Sequence, residues 1–542
     1  GFPDLYFERG DIGSNMLYRN LGDGRFEEVA QAAGLDLPNY LGAGPLFADY
    51  DGDGWDDLLL GGLNDNPVRL FRNQANGRFE DVTNTSGIDL TEATYSFSLA
   101  DYNRDGNLDI YMSHWLESRS RSCIWKNLGN GRFENADFDL GFFIYNPFFD
   151  LNYAFNGTFS DVNDDGFPDL LISSDFFTSQ IWMNQNGERF ERLREVRLSD
   201  ENGMGSCVGD YDNDGDLDWF VTSIYDYDGS EGNWGSLGNR LYENLGDGNF
   251  QDVSAMAGVR NGGWGWGASF ADLNNDGHLD IVHTNGWPNG NGQFGRDSVR
   301  VFLSNQDGTF TDVASATGLV DTVEGRGLSV MDYDRDGDLD IAIANYLTAP
   351  GLWRNDYEGE NHYLTIKPDV PIAQLINTRV WVYTGSLRQL REIRLGSNYN
   401  GQNLPEAHFG LGDASVVDSV VIDWADGSRQ VLYNVAADQL LEIGNIDPTV
   451  LAGEWSVSPN PFNSFIYFQG KTANGEKPTI QLFDTNGRLI TVLSEPDTYP
   501  DNGWFISWEA VQTGHTLPIG IYYARLLVDN EVVETRKLIK VD

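Results

Sequence analysis

The sequence predicts an all-β chain, with a seven-bladed β-propeller over residues 1–358 and two smaller β-domains behind it, at 359–447 and 452–542. Three observations carry this. A ten-residue pattern, Asp-x-Asp/Asn-x-Asp-Gly-x-x-Asp-apolar, begins at Asp49, Asp101, Asp161, Asp210, Asp272 and Asp332, at intervals of 49 to 62 residues. Four short apolar stretches recur around each copy. Gly is abundant, at 62 of 542 residues, as a fold of many short strands and tight turns requires.

The chain opens on Gly1-Phe2-Pro3-Asp4-Leu5, which matches Gly166-Phe167-Pro168-Asp169-Leu170 and is the back half of a seventh copy. In each repeat a first stretch enters the loop (45–50, 95–102, 267–273). A second leaves it as a nearly continuous apolar run (58–60, 108–112, 339–343), the mark of a strand covered on both faces. A third ends in Asn (17–20, 70–73, 124–127, 241–244), and a tight Gly-containing turn leads to a fourth, Phe-x-x-Val (26–29, 79–82, 250–253, 310–313). Four strands in each of seven repeats make seven blades, whose apolar faces are covered only when they pack in a ring. The first repeat lacks its entering strand and the last lacks its Phe-x-x-Val strand. We therefore expect some tens of residues upstream of Gly1 that close the ring.

The loops carry the chemistry. Carboxylates at positions 1, 3, 5 and 9 converge because Gly at position 6 permits a sharp reversal, and position 7 adds a backbone carbonyl. Hard oxygen donors without His or Cys select Ca2+. Six calcium sites are expected. They are Asp49, Asp51, Asp53, Asp57; Asp101, Asn103, Asp105, Asp109; Asp161, Asn163, Asp165, Asp169; Asp210, Asp212, Asp214, Asp218; Asp272, Asn274, Asp276, Asp280; and Asp332, Asp334, Asp336, Asp340. A seventh forms at Asp4 if upstream residues supply its front half. Merely acidic turns are a poor alternative, since two carboxylates about 4 Å apart repel by roughly 4 kcal/mol at an effective dielectric near 20.

The net charge of −48 repels phosphates and anionic lipid, so nucleic acid is not an expected partner. No apolar run is long enough for a transmembrane helix, and membrane insertion is not expected. Cys123 and Cys207 stand in different repeats and read as isolated buried thiols.

These repeats resemble the FG-GAP (VCBS-type) repeats of integrin α-chain propellers and their bacterial relatives, over about residues 1–360. From 361 to 443 the pattern changes. His362-Tyr363-Leu364-Thr365-Ile366, Arg379-Val380-Trp381-Val382, His408-Phe409-Gly410-Leu411-Gly412-Asp413 and Val420-Val421-Ile422-Asp423-Trp424 resemble the ASPIC/UnbV module of cartilage acidic protein and its relatives. Where that family usually shows Gly-Ala-Arg, this chain reads Asn377-Thr378-Arg379. Beyond Asp447-Pro448, Ser458-Pro459-Asn460-Pro461-Phe462-Asn463, the 480–488 stretch and Leu517-Pro518-Ile519-Gly520-Ile521-Tyr522-Tyr523 resemble the sorting domain of type IX secretion cargo, an immunoglobulin-like sandwich. The resemblances imply a propeller followed by two small β-sandwich domains. They also imply export to the outer surface of a Gram-negative bacterium.

No His-Glu-x-x-His, Gly-x-Ser-x-Gly, phosphate loop or Cys/His set occurs, so no catalytic residues and no cofactor beyond calcium are expected. His114 and His283 read as structural, and Trp264 and Trp266 as packed near the central channel. The connections on the face opposite the calcium loops are rich in aromatics. They carry Phe142, Phe143, Tyr145, Phe148, Phe149, Tyr153, Tyr225, Tyr227, Trp234, Trp287, Phe294 and Trp115, suited to gripping a sugar or a protein. The expected function is calcium-stabilised, non-enzymatic adhesion or ligand binding at the cell surface, the partner being a glycan or a protein. A subunit of an extracellular filament or surface layer, whose partner is the chain itself, is the alternative. A polysaccharide-active enzyme using spare carboxylates is the third reading.

Overall fold

A computed structural model describes residues 1–9, 13–118, 123–142, 151–194, 198–226, 229, 235, 237–287, 293–357, 359–396 and 398–443. Beyond these it describes 455–458, 465–471, 478–485, 488–494, 497–498, 503–509, 518, 520–528 and 531–540. The chain divides into two units, Gly1–Ile443 and Gly444–Asp542, so the repeats and the segment behind them share one body.

The repeats fold as seven successive groups of antiparallel strands, numbered sheets 1 to 7 in chain order and consistent with a β-propeller; the third and fourth are joined into one eight-stranded sheet where Asp109–Ser118 pairs with Leu151–Ser160. Sheet 2 shows the plan, with strands Gly42–Ala48, Asp57–Gly62, Arg69–Asn73 and Phe79–Asp81 in sequence order. Each Asp-rich loop joins the first strand to the second. The second strand is buried on both faces, as its unbroken apolar run implies: Leu58, Leu59 and Leu60 are all inaccessible to solvent. Sheet 1 (Leu5–Phe7, Met16–Asn20, Phe26–Glu28) and sheet 7 (Gly325–Met331, Asp340–Asn345, Gly351–Trp353) have three strands each. These two meet, with Leu5, Tyr18 and Phe26 packed against Met331, Tyr333 and Ala342. After Phe-x-x-Val the chain makes a one-turn helix in four repeats (Ala30–Ala33, Thr83–Ser86, Ser254–Ala257, Ala314–Thr317).

The Asn that ends each third strand holds neighbouring sheets together. Its backbone N–H donates to the position-9 Asp of its own loop, and in five sheets its side-chain amide reaches a carbonyl at position 2 of the neighbouring sheet's loop, while Asn73 of sheet 2 donates to Asp56 O of its own loop (2.9 Å). Asn127 donates to Tyr50 O (2.8 Å), Asn184 to Tyr102 O (2.9 Å), Asn244 to Val162 O (2.8 Å), Asn355 to Leu273 O (2.8 Å) and Asn20 to Tyr333 O (2.9 Å). In sheet 6 the position is Ser304, whose N–H still binds Asp280 (2.8 Å). Asn184 is 1% exposed and also donates to Pro168 O (3.1 Å). Asn184→Ala leaves two buried carbonyls without these donors, and we expect it to destabilise the chain by about 2–3 kcal/mol. Thermal and denaturant unfolding at fixed calcium measure this, and a loss below about 0.5 kcal/mol would contradict it.

The segment after the repeats forms two sheets. In one, His362–Pro368 lies between Ala407–Gly412 and a parallel partner, Gln439–Ile443. The other has the order Leu387–Glu392, Arg379–Thr384, Val416–Asp423, Arg429–Ala436. The stretch between Leu387–Glu392 and Ala407–Gly412 runs along the first strands of the repeat sheets. Leu395 bridges to Leu99, the Gln402 amide pairs with both N–H and C=O of Phe47 (2.8 Å each), and Asn398 donates to Leu328 O (2.9 Å). Asn403 accepts from Val330 N–H (2.9 Å) and donates to Ser269 Oγ (2.9 Å), while Arg394 donates to Val208 O. Tyr399 packs against Phe155 at 5.7 Å. This plug thereby contacts sheets 2 to 7 and fills the space their first strands enclose.

The second unit has two four-stranded sheets. Alternate residues of their strands, including Ile466 and Phe468, Ile480 and Leu482, Trp504 and Ile506, and Ala524 and Leu526, form one apolar cluster.

Candidate metal centres

Five of the six loops share one hydrogen-bond scheme, set by the spacing of their acidic residues; in the 210–218 loop both Asp210 carboxylate oxygens are buried with no hydrogen-bond partner. The position-1 Asp accepts from backbone N–H groups inside its loop. Asp49 accepts from Gly52 (2.8 Å), Asp53 (3.0 Å) and Gly54 (2.8 Å), and Asp101 from Asp105 (2.9 Å) and Gly106 (2.7 Å). Position 5 accepts from the N–H of position 7, as Asp165 does from Phe167 and Asp276 from His278 (2.9 Å each). Position 6 has positive φ, 89° at Gly54 and 98° at Gly337, which turns the loop back on itself. Position 9 opens the second strand. Asp4 accepts from Asn20 N–H (2.7 Å) as Asp57 does from Asn73 (2.8 Å), so the truncated first repeat keeps this part of the scheme.

The remaining oxygens converge. Asp49, Asp51 and Asp53, then Asp210, Asp212 and Asp218, then Asp332, Asp334 and Asp336, each bring three carboxylates within 4.8 Å of one another. These are the three loops with Asp at position 3. In the others Asn103, Asn163 and Asn274 offer an amide oxygen there.

The residues fit a hard cation. The donors are all oxygens, and buried Oδ2 atoms of Asp57 and Asp109 have no hydrogen-bond partner. Burial holds the Asp57 and Asp340 carboxyls up at about 8, and Asp210 and Asp272 at about 7, with neighbouring carboxylates adding to the rise. A divalent ion would relieve that repulsion and favour the charged forms.

In four of the six loops the residue before the end-strand Asn is charged and faces the loop carboxylates, a role that its place on the strand did not disclose. Arg72 pairs with Asp51 and Asp53 (2.8 Å each), Lys126 with Asp105 (3.5 Å) and Arg354 with Asp334 (3.8 Å). In the 210–218 loop that residue is Glu243, raised by burial and then by Asp214, which makes this the most carboxylate-rich of the six.

The module behind the repeats docks on this loop face. Gly410 N–H donates to Asp272 (3.1 Å), His408 pairs with Asn275 (2.8 Å), and Arg335 makes a two-pronged pair with Glu406 (2.7 and 2.8 Å). Arg379 donates to Asp164 and to the Asp161 carbonyl.

At the opposite mouth the aromatics turn inward. Phe142 is buried against Trp182 (4.9 Å), Trp115 stacks on Phe155 (5.5 Å), and Trp287 stacks on Trp264 (4.4 Å), which meets Phe294 edge-on (5.4 Å). Trp266 packs against Tyr399 of the plug (5.4 Å), in the channel as expected. Phe143, Tyr145, Phe148, Phe149, Tyr227 and Trp234 lie outside the described residues. His283 is buried, paired with Asn239 (3.1 Å) and pushed down to about 3 by burial, while His114 is buried and pairs with Thr94 (3.1 Å). Cys123 and Cys207 are both buried. Among the described residues no helix is long and apolar enough to cross a membrane.

The family profile described as FG-GAP-like repeat matches residues 1–60, 49–112, 161–221, 224–283 and 288–343, together more than half of the chain. The chain belongs to the FG-GAP repeat family. An ASPIC and UnbV profile matches residues 372–449 of this FG-GAP protein, covering most of the docked module. Cartilage acidic protein 1 of Xenopus tropicalis is 30% identical over 174 residues, 30% of this chain and 25% of that protein. Its Homo sapiens counterpart is 32% identical over 114 residues, 20% of this chain and 17% of that protein. Integrin alpha-3 of Cricetulus griseus is 28% identical over 170 residues, 28% of this chain and 16% of that protein. The FG-GAP chain thus spans a quarter or less of the length of these relatives. The solved structure of dimeric latent PorU from Porphyromonas gingivalis covers 80% of this chain and 31% of its own at 9% identity, with a TM-score of 0.14, too low to bear on the fold.

Proposed function

We propose that this FG-GAP protein is a calcium-stabilised, non-enzymatic extracellular binding or adhesion protein. In this reading the seven sheets are the blades of a propeller, the ASPIC/UnbV segment is a small sandwich seated on its loop face, and residues 452–542 are a type IX sorting sandwich. The observation that carries it is the repeated loop of oxygen donors, with buried carboxylate oxygens that have no hydrogen-bond partner and no His or Cys among the ligands. FG-GAP membership and the matches to integrin alpha-3 and cartilage acidic protein 1 support an extracellular binding role. Its partner is a surface glycan or protein. His114 and His283 are buried and engaged with neighbouring side chains, which argues against a role for either as a base in hydrolysis.

Electron microscopy of the purified chain with and without millimolar calcium, followed by glycan and cell-surface binding, tests this. Discrete particles that bind a surface component only when calcium-loaded are expected. Ordered filaments or lattices would replace the binding role by a structural polymer, and turnover of a polysaccharide would replace it by an enzyme.

A further inference from the structure

The 210–218 loop differs from the other five in two ways. The first lies at Asp210, which is inaccessible to solvent and has no hydrogen-bond partner on either carboxylate oxygen. In the other loops the position-1 Asp commits both oxygens to backbone N–H groups, as Asp272 does to Asp276 (3.1 Å) and Gly277 (2.8 Å). Asp210 instead brings an oxygen within 4.8 Å of oxygens of Asp212 and Asp218. A buried carboxylate without donors is costly, and a cation held between these groups supplies the missing partner.

The second difference comes from outside the loop. The residue before the end-strand Asn stands beside positions 3 and 5, where Arg72 meets Asp51 and Asp53 (2.8 Å each) and Lys126 meets Asp105 (3.5 Å). Asn244 is anchored as Asn73 is, each N–H donating to the position-9 Asp at 2.8 Å. Glu243 therefore occupies in sheet 5 the place that Arg72 occupies in sheet 2, and its neighbours are Asp214 and Asp212. Four Asp and Glu243 give this site five negative charges, whereas four Asp offset by Arg72 give the 49–57 site three. No other site exceeds three on the same count. Arg391 offsets part of the excess, but it is shared with Asp272, and its guanidinium donates to Leu390 O (2.9 Å) and Gln389 Oε1 (3.3 Å).

We propose that Glu243 joins the 210–218 loop as a fifth carboxylate of its calcium site, and that this site binds calcium more tightly than the other five. The affinity of an oxygen-ligand calcium site follows the charge of its ligands, and a fixed cation on the same oxygens opposes binding. The 49–57 loop, where Arg72 holds Asp51 and Asp53, is accordingly among the first to empty as calcium falls, and the 210–218 loop is the last. The inference rests on the calcium reading above and adds to it a ligand outside the loop and an order of filling.

Calcium is titrated into the stripped full-length chain against a chromophoric chelator, and bound ions are counted after equilibrium dialysis. One ion should bind about tenfold or more tightly than the rest. Glu243→Gln should weaken that ion about tenfold and leave the others unchanged, and Glu243→Arg should bring it down to the weak class. Arg72→Gln should tighten one weak ion about tenfold, which tests the same charge rule in another sheet. A single class of ions in the unaltered chain overturns the proposal, as does a tightest ion indifferent to Glu243→Gln. Where circular dichroism shows that the Glu243 variants do not fold, Arg72→Gln decides, and no tightening there overturns the proposal. Several ions in one class leave the calcium reading standing without this inference. No bound calcium at all removes both.

Discussion

Chelation of calcium lowers the melting temperature of the chain, and acidifying the chelated protein from pH 8 toward pH 5.5 recovers part of the loss. Extracellular calcium modules bind at about 0.1 to 1 mM, so at roughly 1 mM free calcium each loop adds about 0.4–1.4 kcal/mol, and six loops roughly 2–8 kcal/mol. That is comparable with the net stability of a whole domain. The pH response follows from the buried loop carboxyls. In the metal-free chain Asp57 and Asp340 titrate at about 8 and Asp210 and Asp272 at about 7, with burial the largest cause. Between the unfolded carboxyl pKa near 4 and these values, the folded chain binds more protons than the unfolded one, so its stability rises as pH falls through that window. The loaded protein runs the other way, because calcium needs the ionised forms and protons compete for them. Calorimetry with chelator and with calcium at the two pH values reads both effects. An unchanged melt on chelation, or a chelated protein less stable at pH 5.5 than at pH 8, would contradict this account.

Gly396→Ala expels the plug. Gly396 has φ of 76°, and an added Cβ would lie 1.9 Å from the Phe97 carbonyl oxygen, a backbone atom that cannot step aside. Leaving the channel forfeits the Gln402, Asn403 and Asn398 hydrogen bonds and uncovers Leu395 and Tyr399, buried to 1% and 3% exposure. We expect a loss of about 4 kcal/mol or more, from hydrogen bonds worth about 1 kcal/mol each and apolar burial worth about 2 kcal/mol per side chain. Gly385→Ala is the control. Its φ of 56° carries similar backbone strain, but no atom lies within 4 Å of the added Cβ, so it should cost only about 1 kcal/mol. Limited proteolysis should cut the 393–406 segment in Gly396→Ala and spare it in Gly385→Ala. Equal stability and equal resistance of the two variants would mean the plug contributes little.

The repeats were legible because their periodicity is local. The acidic loop and its four flanking stretches fit within one repeat, and Asp4-Leu5 was recognised from half a loop. The end-strand Asn was visible too, but its clasp was not, because the carbonyl that Asn184 grips lies 82 residues earlier, in another repeat. The plug was hidden for a different reason. Residues 395–403, Leu-Gly-Ser-Asn-Tyr-Asn-Gly-Gln-Asn, show neither helical nor strand alternation. Their amides instead replace the strand partners that Phe47 and Val330 lack. The inward turn of Trp115, Trp287 and Phe294 escaped because pattern gives the residue type on a connection, not which way the connection folds.

The Asn clasps have a direction, each holding the sheet before it, and two sheets lack one: sheet 2, where Asn73 turns to Asp56 of its own loop, and sheet 6. Sheet 6 carries Ser304, and its seam with sheet 5 is held by other bonds: Asn213 reaches forward to the Gly277 carbonyl (3.0 Å), Thr222 Oγ1 donates to the Trp266 carbonyl (2.7 Å), and the backbones of Ile224 and Trp264 bridge. That seam is where the ASPIC/UnbV segment crosses. Arg394 ties to Val208 of sheet 5, Asn403 to Ser269 of sheet 6, and the half-buried Arg391 feels the charges of Asp272 on one side and Asp210 on the other. The module therefore cross-braces a seam that lacks the Asn clasp, and a sequence that regained Asn at position 304 would have less need of it.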